Sequence, residues 1–207
     1  MKLLFATNNQ GKLRELRELV ADLPGLEVLG LKDLDSPLDI EETGETFADN
    51  AALKAREAAA ITGYWTLADD SGLEVDALDG RPGVRSARYA GEGASDADRI
   101  VKLLGELEGV AEVKRTARFR CAVAFAKADA AAEGGAEILA LEEGSCEGRI
   151  LEAPVGEGGF GYDPVFFVEA LGCTFAEAPA EQKNRLSHRG NAMRAIAPAV
   201  RQALKGE

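Results

Sequence analysis

Between Arg115 and Lys127 the chain alternates, with Ala117, Phe119, Cys121, Val123 and Phe125 pointing one way and Thr116, Arg118 and Arg120 the other. A period of two over this length marks a strand with one face on a core. Other stretches follow a helical period. Leu13, Leu16, Leu19 and Val20 fall on one face of Gly11 to Asp22, where Pro24 and Gly25 end the helix. Phe47, Ala51, Leu53 and Ala58 follow a Thr46–Asp49 capping box, and Ile100, Leu103, Leu104 and Leu107 follow Ser95 with Asp98. Met193, Ile196, Val200 and Leu204 form a last stripe behind Ser187. Shorter apolar runs read as strands at Lys2 to Thr7, Leu26 to Leu31, Tyr64 to Ala68, Ile138 to Glu143, Gly148 to Glu152 and Val165 to Val168, with an Arg-rich extended piece from Val84 to Ala90. Helix-strand alternation followed by hairpins predicts an α/β protein with a mixed sheet.

The 207 residues suffice for one domain, with or without a second lobe. A net charge of -12 argues against a nucleic-acid surface, which needs a continuous basic face. An anionic ligand must then be captured locally, by a few placed cations and a metal. No apolar run approaches the roughly 18 residues of a membrane span, and the run in Met1 to Thr7 is too short for a signal peptide. The expectation is a soluble, cytoplasmic protein. Cys121, Cys146 and Cys173 are odd in number and far apart, which indicates neither a disulfide framework nor a zinc site.

Five segments carry chemistry. At Leu67-Ala68-Asp69-Asp70-Ser71-Gly72 an apolar strand meets two adjacent carboxylates, and Asp, Ser and Gly predict a sharp turn there. Two readings stand: a solvated turn, or a divalent cation such as Mg2+ relieving the repulsion of the acids. Glu41 and Glu42 precede the second helix, where one of them could add a metal oxygen, and Asn50 and Lys54 share a face of that helix. Thr7-Asn8-Asn9-Gln10-Gly11-Lys12 joins a strand to a helix N-terminus, a natural phosphate site, although its spacing is not that of a Walker A loop. The Gly-rich run Gly156 to Pro164 brings Phe160 and Tyr162 among four glycines, which suits either a nucleobase stacking on a ring or a hairpin with buried aromatics. Last, Lys183 to Asn191 concentrates cations. His188 and Arg189 fall in the first turn of the last helix, where positive charge opposes the dipole and a bound anion would relieve it; an ordinary surface histidine is the alternative.

The order and spacing of five motifs resemble one family along the whole chain. They are Thr7 to Lys12; Glu41-Glu42-Thr43-Gly44 with Thr46-Phe47 and Asn50; Ala68 to Leu73; Phe160-Gly161-Tyr162-Asp163-Pro164; and Ser187-His188-Arg189-Gly190. The family is that of the inosine/xanthosine triphosphate pyrophosphatases. The resemblance implies a single domain over residues 1–207 with two lobes, a long central mixed β-sheet flanked by helices, and an active-site cleft between the lobes. It also implies a homodimer, Mg2+ as cofactor, and hydrolysis of the noncanonical purine nucleotides ITP, dITP and XTP to monophosphate and pyrophosphate, which keeps them out of DNA and RNA. Carried over by motif, Asp70 is the proton acceptor and, with Glu42, a metal ligand. Thr7, Asn8, Asn9, Gln10, Gly11 and Lys12 hold the triphosphate, and Ser71 touches substrate. Phe160, Gly161, Tyr162, Asp163, Lys183, His188 and Arg189 surround the base and the rest of the nucleotide, and Lys12, Lys54 and Lys183 stabilise phosphate charge.

Other phosphate chemistry fits less well. A haloacid-dehalogenase phosphatase needs an Asp-x-Asp after the first strand, whereas Lys2 to Lys12 has no acid, and the Nudix helix signature is missing. A nucleotide sensor holding Mg2+ without turnover is the remaining class, and product analysis separates it from an enzyme.

Overall fold

Among the described residues seven strands account for most of the apolar runs: β1 (Lys2–Phe5), β2 (Glu27–Gly30), β3 (Trp65–Val75), β4 (Thr116–Ala128), β5 (Ala136–Ile150), β6 (Phe166–Val168) and β7 (Cys173–Thr174). The computed structural model describes residues 2–20, 25–36 and 38–205. The strands form one sheet in the order β2-β1-β3-β4-β5-β6-β7. β1 is parallel to both β2 and β3, while β5, β6 and β7 are antiparallel in turn, so the sheet is mixed as the sequence leads one to expect. Among the described residues five helices accompany it: α1 (Gln10–Leu19), α2 (Phe47–Thr62), α3 (Asp96–Glu106), α4 (Ala180–Leu186) and α5 (His188–Lys205).

The chain divides into two units. The first comprises Met1–Asp70, Cys121–Gly144 and Arg189–Glu207, and the second Ser71–Arg120 and Ser145–His188. In the first, Leu3, Phe5 and Leu67 pack with Val123 and Phe125 of β4, Leu13 and Leu16 of α1, and Met193, Ile196 and Val200 of α5. Trp65 stacks on Phe125 with centroids 5.3 Å apart. The buried face of α2 combines Phe47 with small residues, Ala51, Ala55, Ala58 and Ala59, and it also carries Asn50 and Lys54. In the second unit Leu73 and Val75 pack with Ile100, Leu103, Phe119, Val165, Phe166 and Phe175. Phe119 meets Phe166 edge-on at 4.6 Å.

Both capping boxes form as read, Thr46 with Asp49 on α2 and Ser95 with Asp98 on α3. Several local expectations are corrected. Asp69-Asp70-Ser71-Gly72 is not a turn but the middle of β3. Its turn propensity yields because the carboxylates find ionic and hydrogen-bonding partners inside the fold. The piece from Val84 is not extended but a 3-10 helix, Gly83–Arg88, tied by Ser86 Oγ, which donates to Gly83 O at 2.6 Å and accepts Leu73 N–H at 2.8 Å. The two strands read from Ile138 and from Gly148 are a single one, β5. Val165 closes a 3-10 turn, so β6 begins at Phe166, and α4 had no counterpart in the sequence reading. Leu53 is half-buried rather than core. The side chains of Leu19 and Leu204, and the helix end read at Asp22 and Pro24, lie outside the described residues.

Candidate active site

Alternation along β3 sends Asp69 and Asp70 to opposite faces of the strand. Each acid therefore meets different helices of the first unit. Asp69, 1% exposed, is held by Lys12 Nζ of α1 at 3.1 Å and by Arg189 Nε of α5, also at 3.1 Å. The Cys121 thiol lies 3.8 Å away and is itself buried. Asp70 faces α2 instead: its Oδ2 accepts from Asn50 Nδ2 at 2.9 Å, and its Oδ1 lies 3.9 Å from Lys54 Nζ. Lys54 also donates to Glu42 Oε1 at 2.5 Å. Glu42 and Asp70, 28 positions apart in the sequence, thus share one ammonium group. Asn50 ties this pair together from the side, because its Oδ1 accepts the Gly44 N–H at 2.7 Å and so holds the loop that carries Glu42. A Cβ on Gly44 would come within 2.7 Å of that same oxygen, which is why glycine stands there.

The electrostatics separate the two acids. Burial alone raises the Asp69 carboxyl, but Lys12, Arg189 and Lys54 outweigh it and hold the group well below the ordinary carboxylate range. Asp70 goes the other way: burial lifts it, the Glu42 charge adds to the lift, and Lys54 and Asn50 only partly oppose them. Burial depresses the Lys54 ammonium, yet Asp70, Asp69 and Glu42 together keep it raised. Asp69 is therefore a fixed anion, and Asp70 is the acid whose proton affinity the fold increases.

Ahead of α1, Asn9 is the N-cap, its side chain accepting the N–H groups of Gly11 at 2.9 Å and Lys12 at 3.2 Å. Thr7 Oγ1 accepts the Asn9 N–H at 3.2 Å, while Asn8 and Gln10 are exposed. Two of the helix-terminal donors expected to be open to a phosphate are thus taken by Asn9, and Lys12 is turned to Asp69.

In the second unit the aromatic and cationic residues meet. Asp163 Oδ2 accepts both the Phe160 N–H at 2.8 Å and Lys183 Nζ at 2.7 Å. Lys183 Nζ also lies 4.6 Å from the centroid of the Phe160 ring. Gly159 has a φ of +74°, and a Cβ there would strike the Asp163 carboxylate at 2.1 Å. Tyr162 is buried and donates to Ser86 O at 2.9 Å, which makes it an anchor of the loop. The His188 ring stacks on Phe119 at 4.7 Å and 14°, so it is a buried side chain and not the surface histidine that one reading allowed. Ser71 follows Asp70 in β3 and is half-buried.

Within the first unit the structure thus gathers Lys12 and Arg189 on Asp69 and, on the other face of β3, Glu42, Lys54 and Asn50 about Asp70; within the second it gathers Phe160, Asp163 and Lys183. The roles carried over by motif left out two residues central to the first unit's site, Asp69 and Asn50. The signal for Asp69 was the strand period itself, and for Asn50 its place four residues before Lys54. Among the described residues no three His, Cys, Asp or Glu groups form a ready-made metal cage. The Glu42 and Asp70 pair still fits Mg2+, which takes hard oxygen ligands and commonly only one or two carboxylates beside substrate phosphates. That the fold already gathers both acids on a cation supports the fit.

A mixed-sheet α/β protein with paired acids on a cation and lysines close by is equipped to handle phosphate groups. The chain belongs to the Ham1 family, whose model matches residues 3–199. It is 52% identical over 194 residues to a dITP/XTP pyrophosphatase of Desulforamulus reducens, covering 94% of this chain and 92% of that protein. It is 51% identical over 205 residues to one of Methylococcus capsulatus, covering 99% and 98%. The structure of a HAM1 protein from Coxiella burnetii superposes with a TM-score of 0.85 at 41% identity over 98% of this chain and 99% of that one. The resemblance read from the five motifs is borne out.

Proposed function

We infer that the protein is a nucleoside-triphosphate pyrophosphatase that hydrolyses ITP, dITP and XTP to the monophosphate and pyrophosphate. The convergence of Glu42 and Asp70 on Lys54 carries the reading, since it assembles an acid pair from separate parts of the chain. Relatives named dITP/XTP pyrophosphatase at about half identity over nearly the full chain support the substrate. Glu42 and Asp70 would hold Mg2+, which when bound neutralises phosphate oxygens and acidifies water. Asp70, its proton affinity already raised by burial, accepts the proton of the attacking water. Lys54 and Lys12 stabilise charge on the phosphates and the departing pyrophosphate. Thr7 to Lys12 receive the triphosphate, with the exposed Asn8 and Gln10 leading. No protein nucleophile is required.

The remaining motif residues serve the base. Phe160 offers a ring for stacking, with Gly161, Tyr162, Asp163 and Lys183 shaping its surroundings and Ser71 touching the substrate. His188 and Arg189 favour a 6-oxo acceptor, because adenine would leave their donors unpaired. The protein acts as a homodimer in the cytoplasm. Among the described residues no helix is long and apolar enough to cross a membrane.

A panel of nucleoside triphosphates assayed for released pyrophosphate tests this reading. ITP, dITP and XTP should be turned over at least about a hundredfold more efficiently than ATP, as expected of a site whose polar groups go unpaired with the wrong base. Equal turnover of all four would overturn it.

A further inference from the structure

Asp96 opens α3, but the cap of that helix is already made. Ser95 Oγ accepts the Asp98 N–H at 3.1 Å, and Asp98 Oδ2 accepts the Ser95 N–H at 2.9 Å. The Asp96 carboxylate is used elsewhere: its Oδ2 accepts the N–H of Gly161 at 2.7 Å, and its Oδ1 is paired with Arg99. Arg99 is fixed in turn by the carbonyls of Ala87 at 2.6 Å and Ala94 at 2.9 Å. The preceding N–H, that of Phe160, ends on Asp163. Two successive peptide donors of the ring-bearing loop therefore terminate on two carboxylates, one supplied by the loop and one by a helix 65 residues away. Gly161 has a φ of +65° and no side chain of its own to anchor the loop. Burial would raise the Asp96 carboxyl, but the Gly161 N–H and Arg99 keep it below the ordinary range, so the bond is charge-assisted.

We propose that Asp96 is a positioning residue for base recognition: through the Gly161 amide it fixes the peptide that carries Phe160 and so presents the ring to the base already ordered. This rests on reading Phe160 as the stacking face. Asp96 touches no substrate. Its contribution is to preorganisation, because a loop with glycines at 156, 158, 159 and 161 must otherwise be ordered at the expense of binding. Binding of the base is affected, and the phosphate chemistry is not.

The test is the steady-state kinetics of pyrophosphate release from ITP by the full chain with Mg2+. In Asp96→Ala the KM for ITP should rise about tenfold with kcat within about twofold, the scale of one lost charge-assisted hydrogen bond. Asp96→Asn keeps an acceptor oxygen and should stay within about threefold of the wild-type KM. Inhibition by pyrophosphate, which has no base, should be unchanged in both. An unmoved KM in Asp96→Ala, or an equal loss of affinity for ITP and pyrophosphate, would overturn the proposal. If Asp96→Ala melts early, Asp96→Ser carries the same expectation, since its hydroxyl suits a first helical turn but is one bond too short for Gly161. Wild-type protein that releases no pyrophosphate from ITP ends the pyrophosphatase reading, whereas wild-type turnover with an unmoved variant KM ends this inference alone.

Discussion

Neighbouring aspartates of one strand have opposite electrostatic fates, and they should fail in opposite ways. Asp70→Asn removes the acceptor whose carboxyl burial already disfavours as an anion. Its kcat should fall about a thousandfold, within the range for a lost general base, while its melting temperature stays level or rises. A variant with full activity would return Asp70 to a structural role. Asp69→Asn leaves Lys12 and the buried Arg189 without their anion, and denaturant unfolding should show a loss of about 3 kcal/mol. The pH dependence has a definite sign. Because the folded group titrates below its ordinary 3.8, its contribution is complete above that value and declines as the pH falls through the window beneath it. In EDTA, the stability gap between wild type and Asp69→Asn should therefore be constant near neutrality and narrow below about pH 4. A gap that is flat from neutrality to acid would contradict the assignment. For His188→Ala, stacked on Phe119, the ratio of ITP to ATP turnover should fall about tenfold. An unchanged ratio removes His188 from base recognition.

At the level of elements, α2 organises the acid pair. Its capping box sets where the helix starts, Asn50 follows within the first turn, and Lys54 lies one turn beyond on the same face. Thr46→Ala should cost about 1 kcal/mol in unfolding with little change in kcat. Gly44→Ala should do the reverse: its Cβ would crowd Asn50 Oδ1 at 2.7 Å and the Asn50 backbone N at 2.9 Å, displacing the Glu42 loop. Activity should drop more than stability, and a fully active Gly44→Ala would show that the Asn50 bridge is dispensable. The helices were legible because capping chemistry and apolar period both act over a few residues, and Thr46 with Phe47, Ala51 and Ala58 supplies both. β3 was legible on either side of its acids, up to Ala68 and again where Leu73 and Val75 alternate with Glu74, but not through them. Local chemistry at Asp69, Ser71 and Gly72 favours a turn, and what keeps the strand straight lies far off in sequence, at Lys12, Asn50 and Arg189. The same reason hid Asp69 from the reading of the site. Gly83–Arg88 was misread in a similar way, since the tie from Ser86 to Leu73 joins segments that do not look alike.

For the whole molecule, a strongly acidic chain pairs the cations of its candidate site with particular acids. Lys12 and Arg189 serve Asp69, Lys54 serves Glu42 and Asp70, and Lys183 serves Asp163. On the proposed reading a phosphate or a nucleotide edge competes with the acid for each lysine, which is how an acidic protein would take an anionic substrate. All of this turns on Glu42 and Asp70 acting with Mg2+ on the anhydride between the α and β phosphates. The decisive experiment is phosphorus NMR of ITP turnover, with Mg2+ and again with EDTA. IMP and pyrophosphate should be the only products with Mg2+, and EDTA should abolish turnover; IDP with orthophosphate, or undiminished turnover in EDTA, would rule this out.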